Sequence, residues 1–218
     1  LDDTRERVAE VEGAVADQVE SGEQIIEQRT AQATAEIDAL LQELEQYAAS
    51  GQTVEELIEG AAPSVFFVST LDEAGQPSVG TAFVLFADSE RSFLLTSFTT
   101  VRAATVQPGP ALEVRQGDRT IGVELTAWDE GRDLALLIAE DNPNLPALPV
   151  ADPSSVTPGD RVFAVSGLGS SGGAVVQGVV ADVAGNGIQH DAPVGPQFQG
   201  GPLLDSDGEL IAIASRRY

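Results

Sequence analysis

The sequence predicts a mainly β protein, a sandwich or barrel of short strands, preceded by an acidic α-helical segment. Three observations predict it. Beyond Pro63, short β-branched and aromatic runs alternate with Gly, Pro and Asp turns. No helix of the length that a parallel crossover needs separates those runs, so a parallel sheet is not expected. Residues 1–50 contain no proline, are rich in Ala, Glu and Gln, and repeat their apolar positions at helical spacing.

The helical stripe runs through Val8, Val11, Val15, Val19, Ile26, Ala33, Ile37, Leu40, Leu44 and Tyr47. Its gaps are threes, fours and their sums, and its width is close to that of a coiled-coil seam. Ser21-Gly22 interrupts it, and Ser21 can cap a new helix with Gln24 as its capping-box partner. The segment is therefore one kinked helix or a helical hairpin. Residues 1–52 hold 13 acidic residues and three arginines, a net of −10. Such a segment is either a solvated stalk or an oligomerisation or partner-binding helix. Gly51 serves as its C-cap, and Thr53 then caps a short helix with Glu56 at the capping-box position.

Strands are expected at 64–70, 79–86, 92–96, 111–116, 119–127, 134–139, 161–166, 174–183 and 209–215. Turns are expected at Asp72-Glu-Ala-Gly75, Gln116-Gly-Asp118, Pro158-Gly-Asp160 and Asp207-Gly208, where Gly supplies the positive φ that tight turns demand.

Composition narrows the function. The chain has 218 residues, 42% of them hydrophobic, and a net charge of −24. A phosphate-binding face needs clustered Lys and Arg, so nucleic acid and anionic membrane surfaces are excluded as partners. There is no Cys, Met or Lys, and all 11 basic residues are Arg. A disulfide framework, a thiolate nucleophile and a Cys-ligated metal are therefore ruled out. No cofactor and no metal are expected. No run of 18 apolar residues occurs. The chain starts at Leu1, which reads as a processed or trimmed end, with room for a membrane anchor upstream. Asp205-Ser-Asp207-Gly208-Glu209 has part of the pattern of a calcium loop, but a tight hairpin explains it better. Gly167-Leu-Gly169-Ser-Ser-Gly172-Gly173 lies between strands with no helix or Lys after it, so it is not a phosphate cradle.

The order of short phrases carries a resemblance. Thr53-Val-Glu-Glu-Leu-Ile-Glu-Gly-Ala-Ala-Pro63, Gly80-Thr-Ala-Phe-Val84, Leu94-Leu-Thr96-Ser-Phe-Thr99-Thr-Val101, Asp133-Leu-Ala-Leu-Leu137, Gly159-Asp160-Arg-Val-Phe-Ala-Val165, Ile188-Gln-His190-Asp-Ala192 and Gln199-Gly-Gly-Pro-Leu-Leu204 follow one another in sequence. Residues 53–218 thereby resemble the protease domain of the HtrA/DegP-like branch of trypsin-like serine peptidases. The resemblance implies a double six-stranded β-barrel, with the first barrel over about 61–150, the second over about 156–218, and a cleft between them.

Serine peptidases need a hydroxyl nucleophile, an imidazole to take its proton and a carboxylate to orient that imidazole. By the resemblance the imidazole position is Thr99, the nucleophile position is Gln199, and only Asp133 keeps the family's residue. Gln197 stands where the family has a Gly that helps to shape the oxyanion hole. A threonine hydroxyl is no base near neutral pH, and a primary amide is no usable nucleophile. The lone histidine, His190, occupies a position where the family usually has Thr. The resemblance therefore implies an inactive peptidase homologue, a pseudoprotease. It would act outside the cytoplasm as a protein- or peptide-binding or scaffold module, with a homo-oligomer through the helical segment as one assembly. The alternatives are an active hydrolase with relocated residues and His190 as base, or a regulator of a true peptidase.

Burial of the apolar stripe is what would stabilise residues 1–50 as helix, since propensity alone is marginal in water. Ile26→Asp or Leu40→Asp is expected to melt the segment or break its assembly while 61–218 stays folded. Association through the segment should strengthen with salt, because like charges are screened beyond about 8 Å at physiological ionic strength. Sedimentation and circular dichroism decide this. A chain shortened to begin at Thr53 that keeps the same mass state and loses no helix signal overturns it.

Overall fold

The structure is a computed structural model in which residues 54–106, 108–140, 142, 144–152, 154–168, 174–185 and 187–215 are described. The chain divides into two units, Leu1–Gly51 and Gln52–Tyr218. Every described residue belongs to the second. The helical stripe of 1–50, its break at Ser21-Gly22 and the caps at Gly51 and Thr53 lie outside the described residues.

Helix α1 (Val54–Ala61) opens the described part with Glu55 and Glu56 in its first turn, where carboxylates suit the positive end of the helix dipole. It buries Leu57 and Ala61 and ends at the turn Ala62–Ser64, whose Pro63 cannot continue an α-helix. Six strands follow: β1 (Val65–Leu71), β2 (Pro77–Ala87), β3 (Arg91–Thr96), β4 (Leu112–Gln116), β5 (Arg119–Asp129) and β6 (Leu134–Glu140). They form a closed antiparallel barrel in the order β1-β2-β3-β6-β5-β4, and β1–β4 pairing completes it. Alternation sets which face is inside: along β6, Ala135, Leu137 and Ala139 point inward. They meet Phe66, Val68, Val84, Leu94 and Val114 in one apolar cluster. The short helix α2 (Phe98–Val101) follows β3 and buries Phe98 and Val101 in the same cluster.

The second half contains β7 (Arg161–Ser166), β8 (Ala174–Ala184), β9 (Gly187–His190), β10 (Pro202–Leu204) and β11 (Leu210–Ile213), in the order β11-β10-β7-β8-β9. The architecture is the expected mainly β double-barrel arrangement: a closed six-stranded barrel is followed by a second sheet that has five strands among the described residues. At the β11 edge, the Leu210 N–H donates to the Pro149 carbonyl (2.7 Å) and the Ala151 N–H donates to the Leu210 carbonyl (3.1 Å). The connecting chain thus occupies part of that edge. Strands β9 and β10 are four and three residues long, too short for alternation to reveal them. Between the modules Leu57, Ala61, Val65 and Phe83 pack against Phe163, Val165 and Leu204 in a shared core.

The turn glycines behave as expected: Gly75, Gly117, Gly159 and Gly208 all take positive φ. Gly167 is required for a different reason. A Cβ added there would stand 2.2 Å from Phe66 C and from Phe67 N, so the two modules meet backbone to backbone. Gly122 on β5 has nothing within 4 Å of such an atom. Gly167→Ala should therefore destabilise by about 3 kcal/mol or more. Gly122→Ala should change stability by no more than about 1 kcal/mol. Urea unfolding of the two variants measures the difference.

Candidate functional site

The candidate site is built around Asp133, the residue just before β6. It takes φ 58, a conformation that Asp tolerates better than most side chains. Its carbonyl accepts the Phe98 N–H at 3.1 Å, which ties it to the start of α2. Its carboxylate has no exposed surface. Oδ1 accepts the Thr99 N–H (2.7 Å) and the Thr99 hydroxyl (2.8 Å). Oδ2 accepts the Ser97 hydroxyl (2.9 Å), the Gln199 amide through Nε2 (2.8 Å) and the Ser215 hydroxyl (2.7 Å). Five donors on two oxygens exceed the roughly four lone-pair directions a carboxylate offers, so no acceptor capacity remains.

Gln199 reaches this carboxylate from the second module. Gly200, at φ 80, lets the chain come against α2, and a Cβ there would lie 2.4 Å from the Ser97 nitrogen. The Gln199 carbonyl accepts the Thr81 N–H at 2.8 Å, anchoring the residue to β2. Its amide nitrogen also donates to the Ser97 hydroxyl at 2.8 Å, so Ser97 both accepts from Gln199 and donates to Asp133. The side chain is buried, and its Oε1 has no protein partner.

Gln197 sits in the turn Pro196–Phe198. Within that turn the Phe198 N–H donates to the Gly195 carbonyl (3.0 Å) and the Gln199 N–H to the Pro196 carbonyl (3.1 Å). The Gln197 carbonyl accepts the hydroxyls of Thr81 (2.6 Å) and Ser166 (2.9 Å). Its side chain folds back over Gly195.

The structure thus gathers Thr99, Asp133 and Gln199 at one point, with Gln197 on the same loop. It does not bring His190 there. That residue lies on β9 opposite Val180, and no hydrogen bond links it to Asp133, Thr99 or Gln199. Its Nδ1 is buried without a partner. Burial pushes the imidazole below its ordinary range, and the Asp191 carboxylate opposes this in part.

Thr81 and Ser215 were not singled out by sequence reasoning. Thr81 had a weak signal, since it occupies the hydroxyl position of the Gly80-Thr-Ala-Phe-Val84 phrase. Ser215 had none. Asp129 is no partner for Asp133: it accepts the Arg132 N–H at 3.0 Å and is exposed. The Asp205 carboxylate caps the Asp207 and Glu209 N–H groups, both at 2.9 Å, so this stretch is a hairpin turn. Among the described residues no three His, Cys, Asp or Glu side chains gather to hold a metal ion. Residues 169–173 of the glycine-rich stretch lie outside the described residues. A pocket of about 390 Å³ opens beside the exposed Thr99, walled by the Glu73–Arg102 ion pair at 2.8 Å.

The sequence pattern of the trypsin-like peptidase domain matches residues 80–213. The chain is 30% identical over 150 residues to the probable periplasmic serine endoprotease DegP-like of Marinomonas sp. (strain MWYL1), covering 65% of this chain and 30% of that protein. It is 28% identical over 136 residues to the periplasmic serine endoprotease DegP of Escherichia coli (strain K12), covering 58% and 28%. Identity to the serine protease Do-like HtrA of Bacillus subtilis (strain 168) is 28% over 172 residues, covering 71% and 37%. The chain spans less than two fifths of the length of each of these relatives. The crystal structure of Deg5 superposes with a TM-score of 0.62 at 20% identity, covering 75% of this chain and 87% of that one, a likeness of fold.

Asp133→Asn replaces one acceptor oxygen by a donor that faces other donors. The expected cost is about 2–4 kcal/mol, as for other buried polar networks broken on one side. Urea unfolding of the variant checks it, and a loss below about 1 kcal/mol contradicts a saturated carboxylate.

Proposed function

We infer that this chain, which belongs to the trypsin-like peptidase domain family and has the HtrA-like trypsin fold, is a non-catalytic member that binds protein or peptide. One observation carries the reading: the Gln199 amide donates to Asp133 at 2.8 Å. Gln199 stands at the nucleophile position, yet its side-chain amide donates to the Asp133 carboxylate where an imidazole would otherwise donate. With Thr99 at the base position, the triad positions hold no group that accepts a proton from a nucleophile near neutral pH. The relatives are named serine endoproteases, so this chain is proposed to depart from them at Thr99, Gln197 and Gln199.

The oxyanion loop supports the same reading. An oxyanion hole needs N–H donors that converge where negative charge develops. The Gln199 N–H is instead donated to Pro196 inside its own turn at 3.1 Å. In this reading an extended chain adds hydrogen bonds at an exposed strand edge without being cut. The names of the periplasmic relatives support an extracytoplasmic setting for this chain. No helix among the described residues is long and apolar enough to cross a membrane. In this reading residues 1–52 form the stalk or assembly segment and 53–218 the binding module.

The chain should neither hydrolyse casein nor label with a fluorophosphonate probe, while unfolded casein binds and is recovered intact. A stoichiometric probe adduct mapping to one residue overturns the reading. Thr99→His with Gln199→Ser should still give no efficient hydrolysis, because the 195–199 loop keeps its turn; adding Gln197→Gly should raise the probe-labelling rate. Full activity from the double variant alone shows that the loop is no obstacle.

A further inference from the structure

Two hydroxyls from different modules converge on one backbone carbonyl. Thr81 on β2 and Ser166 at the end of β7 have no exposed surface. Both donate to the Gln197 carbonyl, at 2.6 and 2.9 Å. Each hydroxyl is itself oriented by a backbone donor: Gly167 N–H reaches Thr81 Oγ1 at 3.0 Å, and Leu168 N–H reaches Ser166 Oγ at 3.2 Å. The pair therefore receives from the segment leaving β7 and gives to the loop that carries Gln199. Such a chain of hydrogen bonds in a dry interior is polarised along its length, and losing one member leaves a buried partner unmet.

We propose that Thr81 and Ser166 form a two-hydroxyl latch that clamps the Gln197 carbonyl and couples the conformation of the 195–201 loop to the apposition of the two β modules. With that carbonyl held inward, the peptide it belongs to cannot rotate. The Phe198 and Gln199 N–H groups then stay folded onto Gly195 and Pro196. Separating the modules withdraws Thr81 from Ser166 and releases the carbonyl. Conversely, a ligand that turns the loop loosens the modules at this point. Thr81 and Ser166 are positioning residues here, since they touch the loop backbone and no reacting atom.

Amide hydrogen exchange on the natural full chain and its variants tests the latch, with residue-resolved readout at Phe198 and Gln199. Ser166→Ala and Thr81→Val should each accelerate exchange at these two amides by about five- to tenfold. Exchange in β3, β5 and β6 should be unchanged. The hydroxyl-keeping variants Thr81→Ser and Ser166→Thr should restore slow exchange at both. No acceleration at 198 and 199 overturns the latch. Acceleration spread evenly over both modules also overturns it, as simple destabilisation. Ser166→Ala removes only an oxygen at a strand end, so it decides the matter even if Thr81→Val fails to fold. The readout is the loop itself and not probe labelling, so this test can fail while the non-catalytic reading stands, and the reverse.

Discussion

Asp133 has no exposed surface, and no ion pair reaches it among the described residues, so its carboxylate must be satisfied by hydrogen-bond donors alone. Those donors are drawn from Ser97 before α2, from Thr99 within it, from the Gln199 loop and from the residue that follows β11 by two positions. Removing the carboxylate from water is costly unless every lone pair is met. That requirement fixes where the 195–201 loop can sit against the first barrel. Gly200 then has to take a left-handed backbone to let the chain pass. The position of the Gln199 loop follows from the solvation of one side chain.

This constraint also makes sense of the pairing of Thr99 with Gln199. A side chain as short as threonine at 99 bonds to Oδ1 but does not extend across Oδ2. The longer glutamine comes from the opposite wall and reaches Oδ2 with Nε2. The two positions act as one unit, so their single-site effects should not add. The unpartnered Gln199 Oε1 is the unmatched remainder of this exchange, because an amide brings an acceptor that the cluster of donors around Asp133 does not meet.

Much of the fold could be read from the sequence, because its signals are local. The alternating run at 134–139 and the glycines at 75, 117, 159 and 208 each report on a few neighbouring residues, and the strands and turns stand where those signals put them. The site was legible only in part. Thr99, Asp133 and Gln199 could be placed by the order of family-like phrases, but the bond from Gln199 to Asp133 spans 66 positions and leaves no trace in spacing. Ser215 reaches the same carboxylate across 82 positions, and a serine near a strand end is too common to stand out. Strands β9 and β10 leave no periodic signal because neither is long enough to alternate.

Gly167 sets the mechanical character of the contact between the two modules. Where two β modules meet through side chains, rotamers can adjust and the bodies can slide a little past each other. Here residue 167 abuts the peptide joining Phe66 and Phe67 with no side chain between them. Backbone against backbone is a hard stop. It cannot be compressed, so the two modules are held at this spacing beside Ser166.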